Sequence, residues 1–196
     1  MTGPIVIGFD EAHKPRGKLD SNYKSLAQHL NQNGFLCTPF AEFPITRQNL
    51  APYDIIVFAC PDFSKISKQE IDAIKSWVRE DGGGVLMLSH AGGDKGRRSN
   101  LTELGEQFGQ AFESDQVLDK NNNLGVENLP IIRDFGFPHP ITEGLEELCY
   151  RAGCSLMMLS PQNTPVVSST PNAEPSETPL ILAGENHAGR VVSIGS

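Results

Sequence analysis

The 196-residue chain has ordinary hydrophobic and charged fractions, 38% and 20%, and is long enough to bury one sizeable core. Its formal net charge is −8, and its only basic cluster is Lys95, Arg97 and Arg98, which argues against nucleic acid or an anionic membrane surface as a partner. Since no apolar run approaches membrane-spanning length, we expect no direct membrane insertion of this segment.

The N-terminus and the cysteines indicate a cytoplasmic protein. Residues 1–4 contain no basic region, so no signal peptide is predicted. Cys37, Cys60, Cys149 and Cys154 form no CxxC pair and have no metal-ligand spacing, and we interpret them as reduced thiols. No cofactor and no metal are predicted.

Strands and helices alternate through the first half of the chain. The apolar run Ile5–Phe9 predicts a first strand that ends at Asp10. Apolar residues recur at helical spacing over 23–30, which predicts a helix with Ser21 or Asn22 as its N-cap. Further strands are predicted at 35–37, 54–60 and 85–88. The second of these is uniformly apolar, as is typical of a strand covered on both faces.

Two more helices are predicted in this half. Ser67 and Glu70 have capping-box spacing ahead of an apolar stripe over 71–78, and Gly82 closes that helix. Asn100 and Glu103 are predicted to cap the next helix. The alternation of strands and helices predicts an α/β fold with a mainly parallel sheet and helices on both faces.

The alternation weakens after about residue 112. Residues 113–150 are predicted to be short strands and loops that leave the sheet near its carboxyl edge. Residues 161–179 contain five prolines and predict a long loop or a mobile hairpin connection. Short strands are predicted at 155–159, 166–167 and 180–183, and a strong last strand at 189–196. Because a helix should follow a parallel strand, we expect residues 1–196 to be a single domain truncated at its C-terminal end relative to a longer protein.

Several segments resemble one family when taken in order. They are residues 9–14, 54–59, 82–88, 139–145 and 189–196. Together they are similar to the GIFT/DUF4350 group of the class I glutamine amidotransferase-like superfamily, with ThuA-like proteins as a neighbouring possibility. The group includes the N-terminal domain of an intraflagellar transport subunit and prokaryotic proteins similar to auxiliary components of gliding-motility ABC transporters. The resemblance implies a flavodoxin-like, three-layer sandwich used in assembly or in binding glycans or other ligands, and generally without catalytic activity.

The chain departs from the catalytic members of that superfamily at two places. Amidotransferases present a cysteine after the glycine-rich strand, where this chain has Ser89 and His90, and a His-x-Glu pair after a late strand, where this chain has Gly195 and Ser196. Glutamine amidotransferase activity is therefore not expected, because the nucleophile and its base are both missing at the matching positions.

Six residues are candidates for a ligand site at the carboxyl end of the sheet. They are Asp10, His13, Ser89, His90, Gly92 and Gly93. If the first and fourth strands are neighbours, their ends flank the crevice in which open α/β sheets bind ligands. The alternative for each is structural: a hydrogen-bonded network for the polar residues, and a solvated loop instead of an anion cradle for the glycines.

His139 precedes Pro140 in a segment with two interpretations. It could lie over the crevice, or it could belong to a turn in which Thr142 caps a short helix. We favour the turn.

These observations predict a non-catalytic binding or assembly module without catalytic residues. Its expected partner is a protein, a small ligand or a glycan, and it could form a homodimer. The alternative is a ThuA-like hydrolase or sugar-modifying enzyme that uses Asp10, His13 and His90, and this alternative requires the three side chains to cluster around a pocket.

Overall fold

The structure is a computed structural model that describes residues 3–196. Met1 and Thr2 lie outside the described residues. They belong to residues 1–4, in which no signal peptide is predicted. The elements in chain order are β1 (Ile5–Asp10), α1 (Lys24–Gln32), β2 (Phe35–Phe40), α2 (Arg47–Leu50), β3 (Ile55–Ala59), α3 (Lys68–Asp81), β4 (Gly84–Leu88), α4 (Gly93–Arg97), α5 (Leu101–Glu106), β5 (Gln110–Phe112), β6 (Leu118–Asp119), β7 (Ile131–Ile132), β8 (Leu148–Cys149), β9 (Leu156–Met158), β10 (Asn163–Ser168), β11 (Ala173–Glu174), β12 (Pro179–Asn186) and β13 (Gly189–Ile194).

The core of the fold is a seven-stranded sheet in the order β10-β12-β13-β4-β3-β1-β2. Every neighbouring pair from β13 through to β2 is parallel, whereas β12 runs antiparallel to both β13 and β10. The mainly parallel α/β sandwich is therefore confirmed. The order differs from expectation at one point that concerns the site: β3 lies between β1 and β4, so the first and fourth strands are not neighbours.

One face of the sheet is covered by helices. Trp77 and Val78 of α3 and Leu104 of α5 pack in one apolar cluster with Phe58 and Met87, which point from β3 and β4 towards this layer. All five side chains are at most 2% exposed. This helical layer gives the sheet its larger core.

The other face is covered by two different kinds of structure. Around α1, Tyr23 and Leu30 pack on Phe9 and Val57. Over β10, β12 and β13 the cover is the irregular segment that follows α5, and its buried residues include Val117, Ile132 and Tyr150. The predicted departure from strand-helix alternation after residue 112 therefore supplies part of the third layer.

Both predicted ends of α3 agree with the structure, in which Gly82 is the C-cap, whereas the predicted N-termini of α1 and α5 differ. Ser67 and Glu70 form the predicted capping box of α3. The N-cap of α1 is Tyr23, without a side-chain bond. Asn100 precedes α5, but its side chain bonds to the backbone of Ile66. The carboxylate of Asp94 instead accepts hydrogen bonds from the first two amides of α5, at 2.8 and 2.7 Å.

No helix in the described part of the chain is long and apolar enough to cross a membrane.

Candidate functional site

The predicted ligand residues lie at the carboxyl edge of the sheet but do not form one cluster. Asp10 ends β1, and His13 lies in the loop after it. Ser89 and His90 follow β4, on the far side of β3. The expectation that the two pairs come from adjacent strands is wrong, because β3 takes the position beside β1.

Asp10 and His13 belong to a buried network with Glu70. His13 Nδ1 lies 3.0 Å from Asp10 Oδ1, and His13 Nε2 lies 3.4 Å from Glu70 Oε1 without a hydrogen-bond geometry. The three side chains are at most 1% exposed. Glu70 also accepts hydrogen bonds from the amides of Ile45 and Ser67, at 3.0 and 2.8 Å. The network therefore joins the end of β1 to the loop before α2 and to the first turn of α3.

Electrostatics favour the protonated imidazole in this network. Burial alone would lower the pKa of His13, but the hydrogen bond and the negative charge of Asp10, together with the charge of Glu70, raise it above its ordinary value. Burial alone would raise the pKa of Glu70, but backbone and hydroxyl donors and the charge of His13 lower it. The arrangement places His13 between two carboxylates that favour its protonated form, which is typical of a structural tie.

Ser89 is enclosed by the last strand and by the segment before β9. Its side chain is 6% exposed, and its amide donates to the Ile194 carbonyl at 3.0 Å. Burial raises the pKa of the neighbouring Cys154 thiol to about 12, against the opposing hydrogen bond from Ser89. Within residues 3–196, the recorded partner of the Ser89 hydroxyl is this thiol and not an imidazole or a carboxylate.

His90 is half-buried beside two arginines. Burial, followed by the positive charges of Arg16 and Arg97, lowers the pKa of His90 below its ordinary value. Its Nδ1 atom is inaccessible and has no hydrogen-bond partner among residues 3–196. The recorded bonds and ion pairs of His13 go to Asp10 and Glu70, so His90 is not part of that buried network.

Gly92 and Gly93 form a closed turn. The Gly92 amide donates to the Asp115 carbonyl at 2.6 Å, and the Gly93 amide donates to the His90 carbonyl at 2.9 Å. Gly93 has a φ of +50°, and a Cβ atom there would lie 2.3 Å from the Glu113 carbonyl oxygen. Glycine is therefore required by close packing at this position. Because both amides are engaged, the turn has no free donors with which to cradle an anion.

At the topological switch point the chain pairs with itself. In this strand order the switch point lies between β1 and β3. There Pro15 and Pro61 form an isolated antiparallel bridge. The Arg16 amide donates to the Cys60 carbonyl at 3.0 Å, and the Asp62 amide donates to the Lys14 carbonyl at 3.2 Å. The loop after β1 is thus paired to the segment after β3, across the place where a ligand would enter.

Several residues at this edge were not singled out in the sequence. The sequence predicts only a helix-capping role for Glu70, and its spacing from His13 does not indicate that the two side chains pair. Asp62 lies 3.9 Å from a guanidinium nitrogen of both Arg16 and Arg97. Cys60 adopts a φ of +57°, and burial raises the pKa of its thiol to about 11. Non-local contacts create this group, so no local sequence signal could have revealed it.

His139 lies in a turn far from the carboxyl edge, as the favoured interpretation predicted. It lines a cavity of about 640 Å³ and another of about 700 Å³ beside β12 and β13. The helix expected after Thr142 is absent from the described structure, where Thr142 instead donates its amide and hydroxyl to the His139 carbonyl. Leu148, further along the chain, lies in strand β8 and pairs with Ile132.

No group of three or more His, Cys, Asp or Glu side chains within residues 3–196 is arranged to hold a metal ion.

Comparisons with known proteins agree with the fold. The mmIFT52 N-terminal domain superimposes with a TM-score of 0.85 at 20% identity, covering 97% of this chain and 86% of that one. A cytoplasmic protein from Salmonella typhimurium LT2 gives 0.58 at 18% identity, with coverages of 97% and 87%. A putative ThuA-like protein from Bacteroides uniformis gives 0.59 at 16%, with coverages of 100% and 84%.

At these identities the structural likeness shows the fold alone. A search of curated proteins found no match. The sequence model of the IFT52 GIFT domain matches residues 6–122, which is more than half of the chain. The chain therefore belongs to the IFT52 GIFT domain family.

Proposed function

We propose that this chain is a non-catalytic assembly module whose partner is another protein. One observation carries the proposal: the switch-point crevice, where this fold class binds ligands, is closed by backbone pairing of residues 14–17 with residues 59–62. A small substrate has no entrance there unless this pairing opens. The name of the matching family also supports assembly, since it is that of a domain of an intraflagellar transport protein.

The groups that catalysis would require are engaged elsewhere. Covalent catalysis needs a nucleophile within hydrogen-bond reach of a base. Ser89 is buried against Cys154, whereas His13 is held between Asp10 and Glu70. The amides of Ser89, Ala91, Gly92 and Gly93 already donate to backbone carbonyls, so these four amides are not available for an oxyanion hole.

Two further features belong to the proposal. The four cysteines are free thiols, which supports a reducing, cytoplasmic location. A small ligand or a glycan is a less favoured partner, because Asp10 and His13 are at most 1% exposed and could bind one only after the network opened.

The absence of catalysis is tested on the purified chain with glutamine, p-nitrophenyl acetate and p-nitrophenyl glycosides. We expect the same background rate from the wild type and from Ser89→Ala and His90→Ala. The ThuA-like alternative, which uses Asp10, His13 and His90, predicts turnover that His90→Ala abolishes. Such turnover would contradict the proposal.

Assembly is tested by the size of the protein in gentle lysates of its own cells. A module of a larger assembly should elute well above the mass of its own polypeptide, which denaturing electrophoresis of the same lysate fractions measures. Ser89→Ala should elute in the same way as the wild type. Elution at the size of the free chain would contradict assembly, even if no turnover were found.

A further inference from the structure

The loop between β7 and β8, residues 133–147, is a self-contained unit on the surface. Its ends are held together because β7 and β8 pair antiparallel. Every recorded hydrogen bond of this loop within residues 3–196 joins two of its own residues, such as the Gly136 amide to Asp134 at 2.8 Å. The 133–147 loop therefore keeps its shape by local contacts, as an Ω-loop does.

The 133–147 loop bounds two large concavities. A cavity of about 640 Å³ is lined by loop residues alone, including Phe135, Phe137 and His139. A second, of about 700 Å³, separates Ile141 from the sheet residue Val192. Both volumes fall in the range of about 300–1,000 Å³ that is usual for binding pockets. Phe135 packs against the apolar cluster that includes Val166 and Leu180 of the sheet, whereas residues 136–144 border open space.

Large apolar side chains of the 133–147 loop are exposed to solvent. Phe137, Ile141 and Leu145 are 43%, 40% and 46% exposed. Single exposed apolar residues are common, but three within fifteen residues beside two cavities are typical of an interaction surface. Phe137 lies edge-on to His139 of the same loop, with ring centroids 6.3 Å apart.

The rim of the same loop is acidic. The loop has a net charge of −3, because it carries one guanidinium, that of Arg133, and four exposed carboxylates, those of Asp134, Glu143, Glu146 and Glu147. Arg133 pairs with Glu147 at 3.0 Å. This charge repels nucleic acid, anionic membranes and the same loop of a second copy, whereas it attracts a basic segment.

We propose that the 133–147 loop binds a basic amphipathic helix of a partner protein. Such a helix carries a stripe of apolar residues for Phe137, Ile141 and Leu145, with Lys or Arg on both sides of the stripe for the acidic rim. This inference rests on the proposed assembly function and assigns to it a surface and a class of partner. It places the binding surface on the loop, away from the carboxyl edge of the sheet.

The probe is a fluorescein-labelled peptide of about 18 residues with leucines at i, i+3, i+4 and i+7 and lysines elsewhere. Binding is followed by anisotropy. We expect Phe137→Ser and Ile141→Ser each to weaken binding by about tenfold or more. Leu36→Ser is the matched control, because Leu36 is also 43% exposed but lies on β2 at the opposite edge of the sheet. This variant should bind the peptide as tightly as the wild type does.

Charge is tested separately. Glu143→Lys should weaken binding of the peptide severalfold, whereas Glu106→Lys, at an exposed position of α5, should have little effect on it. A scrambled peptide of the same composition should bind more weakly, because it has the charge but lacks the apolar stripe. Far-UV circular dichroism confirms that each variant is folded.

Three results would overturn the proposal: equal binding by wild type and loop variants, equal binding of the scrambled peptide, or a wild-type dimer in sedimentation that Ile141→Ser converts to monomer. The last would identify a second copy as the occupant. If the loop variants still elute in the large assembly in cell lysates, the proposed function stands and only this surface is wrong. If the chain is free in lysates yet binds the peptide through the loop, the binding surface stands and the proposed assembly function is wrong.

Discussion

Replacing His13 by alanine is expected to destabilise the fold strongly, because it removes the cation between two buried carboxylates. Asp10 and Glu70 are 0% and 1% exposed. Removing one partner of a buried ion pair typically costs about 3–5 kcal/mol. Asp10 keeps hydrogen bonds from the amides of residues 12 and 13, and Glu70 keeps those of Ile45 and Ser67. We therefore expect a loss of about 3 kcal/mol, at the lower end of that range.

The pH dependence of this loss has a definite sign. The pKa of His13 is raised from 6.5 by folding, so its contribution to stability is complete below that value and is lost as the pH rises through the folded-state pKa. The pKa of Glu70 is lowered from 4.5, so its contribution is lost only on acidification below that value. The difference between wild type and His13→Ala should therefore be larger at about pH 6 than at about pH 9.

The assay is urea unfolding followed by far-UV circular dichroism, with the free energy of unfolding extrapolated to water at each pH. His29→Ala is the control, since His29 is exposed on α1 and should tolerate the change. A loss below about 1 kcal/mol at about pH 6, or a difference that grows towards pH 9, would refute the reasoning.

The remaining predictions concern a cap, a glycine and the thiols. Asp94→Ala should lower the free energy of unfolding by about 1–2 kcal/mol, because its carboxylate caps α5. Gly93→Ala should cost about 2–4 kcal/mol in the same urea assay, since its Cβ would meet the Glu113 carbonyl oxygen at a positive φ. In the native protein, exposed Cys149 should react with a thiol reagent much faster than Cys60, whose pKa burial raises to about 11.

Each of these has a control. Gly34 also has a positive φ but nothing within 4 Å of an added Cβ, so Gly34→Ala should lose only about 1 kcal/mol. Equal losses at both glycines would mean that the packing argument is wrong. Asp94→Asn keeps an acceptor and should recover part of the loss. Equal labelling rates of the two thiols, measured by mass spectrometry, would contradict the burial of Cys60.

Local patterns predicted much of the fold. The capping box of Ser67 and Glu70 begins α3, and the uniformly apolar run that starts at Ile55 is a buried central strand. These predictions succeed because capping and strand burial depend on neighbours in sequence. The helix expected after Thr142 is wrong, since residues 143–147 remain turn and loop and Leu148 pairs with Ile132 in β8.

Long-range contacts decided the candidate site. Asp10 and His13 could be named as candidates because they follow a strand end, but their partner Glu70 lies 57 residues beyond His13 and was assigned only a cap. That Asp10, His13, Ser89, His90, Gly92 and Gly93 bind a ligand stays a prediction. The structure shows the internal contacts with which such a ligand would compete.

The sequence by itself determined the α/β class, the family resemblance and the absence of a cysteine after the glycine-rich strand, because those depend on residue identity and local periodicity. Only the tertiary structure decided that β3 separates the two candidate pairs, that the loop after β1 pairs with the segment after β3, and that the 133–147 loop borders a concavity beside the sheet. The physical reason is that strand order and loop closure are set by contacts between distant segments, whose free energies no short stretch of sequence contains.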